Sequence, residues 1–385
     1  MPPHPLAAET AAAGARHASQ LALKSADALK AGPGGRSSVS GVTATIFGCS
    51  GFLARYVAQS LGNLGTQLVL PYRCDDVDVQ HLRTMGDLGQ VVPLRGFNIR
   101  DNDAIKRAIS RSSLVINLVG SDVETWNYTF EDVHVDFPRR LAAAIKEVGG
   151  VERVVHLSCL GAAPDSPSRR LRTKAAGEEA VRSELGDAAT VIKSAVMTGT
   201  EDRLFNTYAR WIKTLPAVPL LGGGATRTQP VWVRDVAAGV MAALHTWDSA
   251  GRTYHLAGPD VFTTRQLVEF TYETVREEPS MVPLPAALAK LVAAPADWVA
   301  RRTPFRGPAP FTVDAIDELD ADFLVPSGPG VLTFADLGIE ARRVTEGVPI
   351  EYLRHARSGG YDFGTTAPDV GAGGGGFRPP DRDHV

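Results

Sequence analysis

A short β-rich run that breaks into glycines and reopens as a helix constrains this chain more than any other segment. Val42–Phe47 is apolar and typical of a strand, Gly48 and Gly51 follow it, and Phe52–Gly62 has helical spacing. Gly48 allows a sharp turn, and Gly51 lets the backbone approach a bound group without an intervening side chain. The N–H groups of the first helical turn then face an anion, so the segment predicts a phosphate-binding turn.

Strand-like and helix-like segments alternate from this turn to about residue 194. The predicted strands are Val42–Phe47, Gln67–Tyr72, Gln90–Leu94, Leu114–Leu118, Arg153–Ser158 and Thr190–Lys193. The predicted helices are Phe52–Gly62, Asp101–Ser110, Phe137–Val148 and Lys174–Leu185. Such alternation predicts an α/β fold: a doubly wound parallel sheet of the Rossmann type, with helices on both faces.

Beyond residue 194 the alternation loosens. Apolar residues at helical spacing predict a packed helix face: Leu204, Phe205, Tyr208, Trp211 and Ile212. Pro216–Gly224 has loop composition, Gln229–Val233 is a predicted strand and Asp235–Leu244 a predicted helix. We therefore predict a nucleotide-binding domain over 41–254 and a smaller C-terminal α+β region over 255–355.

The two ends differ in composition from the middle. Residues 1–40 are rich in alanine and basic side chains, which predicts an organelle leader or a flexible arm. Residues 356–385 form a Gly/Pro-rich tail. Pro285–Trp298 is mildly amphipathic, so it predicts either burial against the C-terminal core or contact with a membrane surface.

Bulk properties exclude several classes of protein. A net charge of −3 does not indicate a nucleic-acid-binding protein. No apolar run reaches the roughly 18 residues of a membrane-spanning helix. The three cysteines are scattered, and neither they nor the histidines have metal-ligand spacing, so we predict no metal site.

Residues after the second strand indicate which nucleotide binds. Tyr72 and Arg73 end that strand, where a cation can pair with a ribose 2′-phosphate and thereby select NADP(H) rather than NAD. Asp75 and Asp76 follow closely and weaken this prediction, because an acid near that place favours NAD. Further ligand contacts are expected where the next two strands end at the same edge of the sheet, from Asn98, Ile99, Leu118, Val119 and Gly120.

The chain resembles the atypical short-chain dehydrogenase/reductase family and, more narrowly, the NADPH-binding accessory subunits of mitochondrial respiratory complex I. The segments that carry the resemblance are Gly48–Tyr56, Pro71–Asp75, His81–Gln90, Val115–Gly120, Asn127–Val133, Leu171–Glu178, Gly199–Arg203 and Gln229–Val233. It extends over about residues 40–355, and the segments within 71–90 are specific to the accessory subunits.

The resemblance implies a tightly held NADPH and a role in assembly or stability without turnover. Its members lie on the matrix side of the mitochondrial inner membrane, where the peripheral and membrane arms of complex I meet, so other subunits of both arms are the implied partners. The residues implied to bind the pyrophosphate are Gly48, Ser50, Gly51, Phe52 and Leu53. Arg73 would meet the 2′-phosphate, Asn98 and Ile99 would flank adenine, and Leu118, Val119 and Gly120 would line the ribose path. Lys174, Lys193, Ser194, Ala195 and Val196 would lie toward the nicotinamide.

The residues that catalysis would need are incomplete. Reductases of this fold use a Tyr-x-x-x-Lys pair, and the matching stretch here is Arg170 to Lys174. A guanidinium stays protonated near neutral pH and cannot exchange a proton with substrate. Ser158 stands where it could orient a carbonyl, but it lacks the tyrosine as partner. We expect no catalytic residue; the alternatives are an active NADP-dependent reductase or epimerase, and a nucleotide-state sensor.

Overall fold

The computed structural model describes residues 40–303, 312–319, 321–346 and 348–357. The predicted leader up to residue 39 and the predicted tail from residue 358 lie outside these residues. Seven parallel strands form the central sheet: β1 Thr43–Phe47, β2 Gln67–Tyr72, β3 Val91–Arg95, β4 Leu114–Asn117, β5 Arg153–Cys159, β6 Ala189–Ser194 and β11 Thr253–Leu256.

The strand order is β11-β6-β5-β4-β1-β2-β3. This is the 3-2-1-4-5-6 order of dinucleotide-binding sheets with one strand added beside β6. The order reverses between β1 and β4, so a crevice opens where these two strands end. The predicted doubly wound parallel sheet is confirmed, and the first six strands lie where the sequence placed them.

Helices cover both faces of the sheet. One face packs against α1 Phe52–Asn63, α2 Asp76–Arg83 and α7 Val233–His245. The other packs against α3 Asn102–Ile109, α4 Phe137–Val148 and α5 Arg169–Leu185, with a five-residue π-helical turn at Asp132–Asp136 leading into α4. Apolar side chains between the helices and the sheet form the two main cores.

Helix α5 begins five residues before the predicted Lys174. Ser168 is its N-cap, and its Oγ accepts a hydrogen bond from the Leu171 N–H at 3.3 Å. The arginine-rich start of α5 therefore lies outside the predicted helix. It is helical because the side chains of Arg169 and Arg170 pair with carboxylates from other elements.

A smaller set of cores lies beside the sheet. It is built by α6 Phe205–Thr214, β8 Val218–Leu221, α8 Thr264–Val275, β13 Met281–Leu284, α9 Ala286–Arg302, α10 Val313–Glu318 and α11 Val348–Tyr352. The short strands β7 Met197–Thr198, β9 Arg227–Thr228, β10 Val231–Trp232 and β12 Phe262–Thr263 connect it to the sheet. These cores combine segments from both sides of residue 254, where the sequence predicted a boundary.

Of the four predictions for the region after residue 200, the loop is wrong, and the strand and the second helix are confirmed with different bounds. The helical apolar face is confirmed, with Phe205 fully buried in the α6 core. The predicted loop over 216–224 is wrong, because β8 lies within it and pairs in parallel with β13. The predicted strand over 229–233 shrinks to β10, and α7 begins at Val233 rather than Asp235.

Helix α9 contacts the rest of the protein through small and polar residues and leaves its large apolar residues outside. Ala289, Ala293 and Asp297 are buried. Leu288, Leu291, Val292 and Trp298 lie on the opposite side and are 53–71 % exposed. Within the described residues, no helix combines the length and the hydropathy needed to cross a bilayer.

Candidate functional site

The turn between β1 and α1 lies against the end of β4 at the crevice. Gly48 has a φ of +79°, and a Cβ on it would lie 2.8 Å from the carbonyl carbon of Leu118. The Gly51 N–H donates to the Gly48 carbonyl at 2.9 Å. Gly51 is also the N-cap of α1, where no side chain caps the helix and no acid occupies the first turn. The N–H groups at the start of α1 therefore remain available to an anion.

The residues around these glycines shape the turn. Ser50 is exposed, whereas the Leu53 side chain is buried, so Leu53 can meet a phosphate only through its N–H. Phe52 packs against Gly199, where a Cβ would come within 2.9 Å of the phenyl ring. The Cys49 thiol is buried and donates to the Pro71 carbonyl at 3.4 Å; its burial raises the pKa of Cys49 to about 12. Cys49 is therefore an inert structural thiol.

At the end of β2, the Asp76 carboxylate binds other side chains rather than Arg73. The Tyr72 hydroxyl donates to Asp76 at 2.8 Å, and Arg95 lies 3.6 Å from the same carboxylate. The Arg73 guanidinium lies over the ring of Tyr128, 4.5 Å from its centroid. Within the described part of the chain Arg73 forms no ion pair, and its charge is available to a ligand.

Asn98 and Ile99 follow β3 beside this arginine. The Asn98 side-chain oxygen accepts from the Arg100 N–H at 3.0 Å and from the Tyr128 hydroxyl at 3.4 Å, which leaves its amide N–H groups for a ligand. Ile99 is buried in the core beneath. The structure thus brings Arg73 and Asn98 together around Tyr128.

The loop after β4 joins the glycine turn to α5. The Leu118 N–H donates to the Phe47 carbonyl at 3.0 Å, and the Val119 N–H donates to the Asn117 side chain at 3.1 Å. The Lys174 ammonium lies 4.0 Å from where a Cβ of Gly120 would be. Lys174 has no ion-pair partner among the described residues, so its charge faces this loop.

A buried ion pair occupies the ends of β5 and β6. The Ser158 hydroxyl donates to Glu178 at 2.5 Å, and the second oxygen of that carboxylate lies 2.9 Å from the Lys193 ammonium. Lys193 also donates to the Ala162 carbonyl at 3.1 Å. The position of Glu178 beside Glu179 in a charged helical segment indicates an ordinary helix surface, but Glu178 faces the sheet and is buried. Ser158 and Lys193 are both engaged by it.

Residues 194–196 lie where β6 leaves the sheet. Ser194 and Ala195 are buried, and Val196 is 40 % exposed. The Ala195 N–H donates to the Leu256 carbonyl at 2.8 Å, and the Val196 carbonyl accepts from Val231 at 3.0 Å. The exposed part of this segment is therefore the side chain of Val196.

Arg170 occupies the place of the missing tyrosine and is fixed by carboxylates. Its Nε and Nη2 donate to the two oxygens of Glu318 at 2.5 and 2.7 Å, and its Nη1 lies 3.2 Å from Asp122. Burial disfavours the charged form, but the bonds to Glu318 outweigh it and the pKa of Arg170 lies above its usual range. Glu318 is on α10, as is Asp314, which accepts from the Ser168 hydroxyl at 2.8 Å. The C-terminal region thus clamps the start of α5.

Two further groups that sequence reasoning did not assign support the site. His134 donates through Nδ1 to the Thr173 hydroxyl at 3.0 Å and accepts at Nε2 from the Ser121 N–H at 3.2 Å; its burial lowers the pKa of His134 to about 2. Glu201 accepts from Arg55 at 3.0 Å and from Tyr56 at 3.1 Å on α1. Glu201 lies in the segment Gly199–Arg203, which carries part of the family resemblance, and this is the sequence signal that could have identified it.

No group of His, Cys, Asp or Glu side chains in the described ranges has the arrangement of a metal site. The chemistry that the site offers is therefore anion binding at the glycine turn and at Arg73, with one lysine beside the loop after β4.

Known proteins resemble this chain in sequence and in fold. The model of the NAD dependent epimerase/dehydratase family matches residues 44–257. The Arabidopsis thaliana protein "NADH dehydrogenase (ubiquinone) 1 alpha subcomplex subunit 9, mitochondrial" is 46 % identical over 92 % of this chain and 88 % of its own length. The Neurospora crassa protein "NADH-ubiquinone oxidoreductase 40 kDa subunit, mitochondrial" is 33 % identical over 85 % and 83 %.

A solved UDP-glucose 4-epimerase from Thermotoga maritima superposes with a TM-score of 0.58, covering 82 % of this chain and 99 % of that one. At 16 % identity this likeness establishes the fold alone. The sequence relatives carry the closer assignment: the chain belongs to the NAD dependent epimerase/dehydratase family and, within it, to the family of mitochondrial NADH dehydrogenase (ubiquinone) 1 alpha subcomplex subunit 9.

Proposed function

We propose that this chain is an accessory subunit of mitochondrial complex I that holds NADPH as a structural ligand and does not turn it over. It acts on the matrix side of the inner membrane, near the junction of the peripheral and membrane arms, and supports assembly or stability of the complex. Its partners are other subunits of both arms. The names and the extensive similarity of its relatives support this placement.

The observation that carries the absence of turnover is the state of Arg170. A positioned general acid–base group contributes about 10²–10⁴-fold to a rate. Arg170 cannot exchange a proton, and its bidentate bond to Glu318 holds it in the place of the missing tyrosine. Ser158, the remaining polar group of such a site, donates to Glu178.

The residues present fit NADPH. The N–H groups of Ser50, Phe52 and Leu53 would hold the pyrophosphate after the sharp turn at Gly48. Gly51, whose N–H donates to the Gly48 carbonyl, would let the backbone approach it. The Arg73 guanidinium, with Tyr72 holding Asp76 aside, would pair with the 2′-phosphate. Asn98 and Ile99 would flank adenine.

The rest of the nucleotide would follow the loop after β4. Leu118, Val119 and Gly120 would line the ribose path, and Lys174 would hold the nicotinamide ribose. Ser194, Ala195 and Val196 would border the nicotinamide. Ser158 and Lys193 would lie at the same end of the nucleotide, where both side chains bind Glu178. Bound NADPH supplies a hydride donor, and we expect this chain to leave it unused.

The exposed side of α9 favours contact with the membrane surface. Its apolar stripe carries Leu288, Leu291 and Trp298, and the helix ends in the cation Arg302, beside Arg301, which pairs with Glu124 at 3.2 Å. An apolar face beside cationic residues suits the boundary between acyl chains and anionic headgroups. The sequence left burial and membrane contact open, and the exposure of this face favours membrane contact.

Two experiments test the proposal. The full chain is expected to bind NADPH, and Gly48→Ala to abolish binding, because its Cβ would lie 2.8 Å from the Leu118 backbone. NADPH with a panel of carbonyl substrates should show no substrate-dependent oxidation. Steady oxidation would instead establish the reductase or epimerase alternative.

The second experiment concerns the assembly. Native gels of detergent-solubilised mitochondria, probed for this chain, should show it migrating with complex I. Migration as a small soluble species alone would contradict complex membership, whatever nucleotide the chain binds.

A further inference from the structure

We propose that Tyr128 is the positioning residue that lets the chain select NADP(H) over NAD(H), because the Arg73 guanidinium lies over its ring. The N–H edge of Arg73 is then presented to the 2′-phosphate. This inference rests on the proposed binding of NADPH and adds a residue that neither the glycine turn nor the end of β2 contains.

The contact between Arg73 and Tyr128 has a geometry that leaves the donors of the arginine unused. The guanidinium carbon lies 4.5 Å from the ring centroid. A guanidinium that stacks on an aromatic ring uses its face, whereas its five N–H donors lie in its plane and point outward. A carboxylate bound to Arg73 would instead occupy some of these N–H donors. The ring therefore fixes the arginine without competing with a phosphate for its fork of donors.

The Tyr128 side chain also contacts Arg100 and Asn98. The Arg100 guanidinium lies over the ring, 4.9 Å from the centroid, and is tied to Asp132 at 3.1 Å and to the Asn127 carbonyl at 2.8 Å. The Tyr128 hydroxyl donates to Asn98 at 3.4 Å. Arg100 is thus neutralised and serves as a support, while Arg73 keeps its charge for the ligand.

Two carboxylates of this region, Asp76 and Asp132, bind other side chains rather than Arg73. Asp76 accepts from the Tyr72 hydroxyl at 2.8 Å and lies 3.6 Å from Arg95. Asp132 accepts from the Thr129 N–H and from Arg100. Asp76 and Asp132 thus have partners of their own, and Asp75 forms no ion pair with Arg73 among the described residues, so the aromatic ring is the group that sets the direction of Arg73.

The test measures the dissociation constants of NADPH and NADH by nucleotide fluorescence on the full chain. Tyr128→Leu should weaken NADPH binding roughly two- to thirty-fold more than NADH binding, the range of a cation–π contact, since loss of the bond to Asn98 affects both nucleotides alike. Tyr128→Phe keeps the ring and should keep the preference for NADPH. In an Arg73→Gln background, Tyr128→Leu should cause no loss of NADPH affinity beyond that of NADH.

Retained NADH binding shows that the variants are folded. Equal weakening of both nucleotides by Tyr128→Leu, or an undiminished effect without Arg73, would overturn the inference, since both indicate a structural role for the ring. A wild-type chain that prefers NADPH and a Tyr128→Leu variant with the same preference would refute the inference alone. A wild-type chain that binds neither nucleotide would refute the proposed function as well.

Discussion

The clamp between Arg170 and Glu318 should contribute measurably to stability, and Glu318→Gln tests this. Both side chains are largely buried, 16 % and 13 % exposed, and two charge-assisted hydrogen bonds join them at 2.5 and 2.7 Å. A hydrogen bond to a charged group contributes about 1.5–3 kcal/mol. The glutamine oxygen can still accept one bond, and Arg170 keeps Asp122 at 3.2 Å, so we expect a loss of about 2 kcal/mol.

Thermal unfolding of the full chain is the assay. A loss of about 2 kcal/mol should lower Tm by about 3 °C for a chain of this size, since the entropy of unfolding is about 2.1 cal/mol/K per residue. The matched control is Glu269→Gln on α8, because Glu269 pairs with Arg265 at 2.9 Å on the surface, where the side chains are 39 % and 61 % exposed. An exposed pair of this kind contributes about 0.2–1 kcal/mol.

A double-mutant cycle measures the interaction energy between Arg170 and Glu318 separately from their other contacts. Arg170→Leu and Glu318→Leu should each destabilise the chain, and the double variant should lose less than the sum by about 1–3 kcal/mol. Equal Tm shifts for Glu318→Gln and Glu269→Gln, together with an additive cycle, would refute the argument that α10 holds the start of α5 through Arg170.

Two further predictions concern the supports of the site. Gly177→Ala should destabilise the chain by about 1–3 kcal/mol in denaturant unfolding, because its Cβ would lie 1.9 Å from the His134 carbonyl oxygen, whereas Gly328→Ala, with open space around it, should not. Asp132→Asn should destabilise the chain at pH 7 but not at pH 2. Burial raises the pKa of Asp132, yet bonds from Thr129 and Arg100 outweigh it and hold that pKa below its usual range. The stability that ionised Asp132 contributes is therefore present above about pH 4 and is lost as the pH falls through the folded-state pKa. An equal loss of stability in Asp132→Asn at pH 7 and at pH 2 would contradict this prediction.

The sheet could be predicted from the sequence because its signals are local. The strand, the glycines and the helix of the first unit are consecutive, and each later strand is a short apolar run followed by a helical pattern. Arg73 could be predicted for the same reason, since its position at the end of β2 places it at the ligand edge of a parallel sheet.

The groups that close the nicotinamide end could not be predicted, because their partners are distant in sequence. Glu178 resembled helix surface, but its partners are Ser158 on β5 and Lys193 on β6. Arg170 was recognised as a cation in place of a tyrosine, but its partner Glu318 comes 148 residues later. The strand β8 was read as a loop from its prolines and glycines, since its pairing partner β13 lies about 60 residues away.

These distant pairs also predict how the chain responds to the redox state of its nucleotide. NADP⁺ and NADPH share the phosphates and the adenine, so contacts at the glycine turn and at Arg73 are the same for both. Only the nicotinamide end can distinguish them, and there Arg170 is paired with Glu318 and Lys193 with Glu178.

A sensor requires different affinities for the two states, because a ligand shifts an equilibrium only by its differential binding free energy. Arg170 and Lys193 are paired internally, and Lys174 is expected at the ribose, which both redox forms share, so the chain should bind NADP⁺ and NADPH equally in calorimetry. A tenfold difference, or about 1.4 kcal/mol, would support the sensor alternative. Equal affinities leave the nucleotide one thermodynamic role, since a ligand at one hundred times its dissociation constant stabilises the folded state by about 2.7 kcal/mol in either redox state.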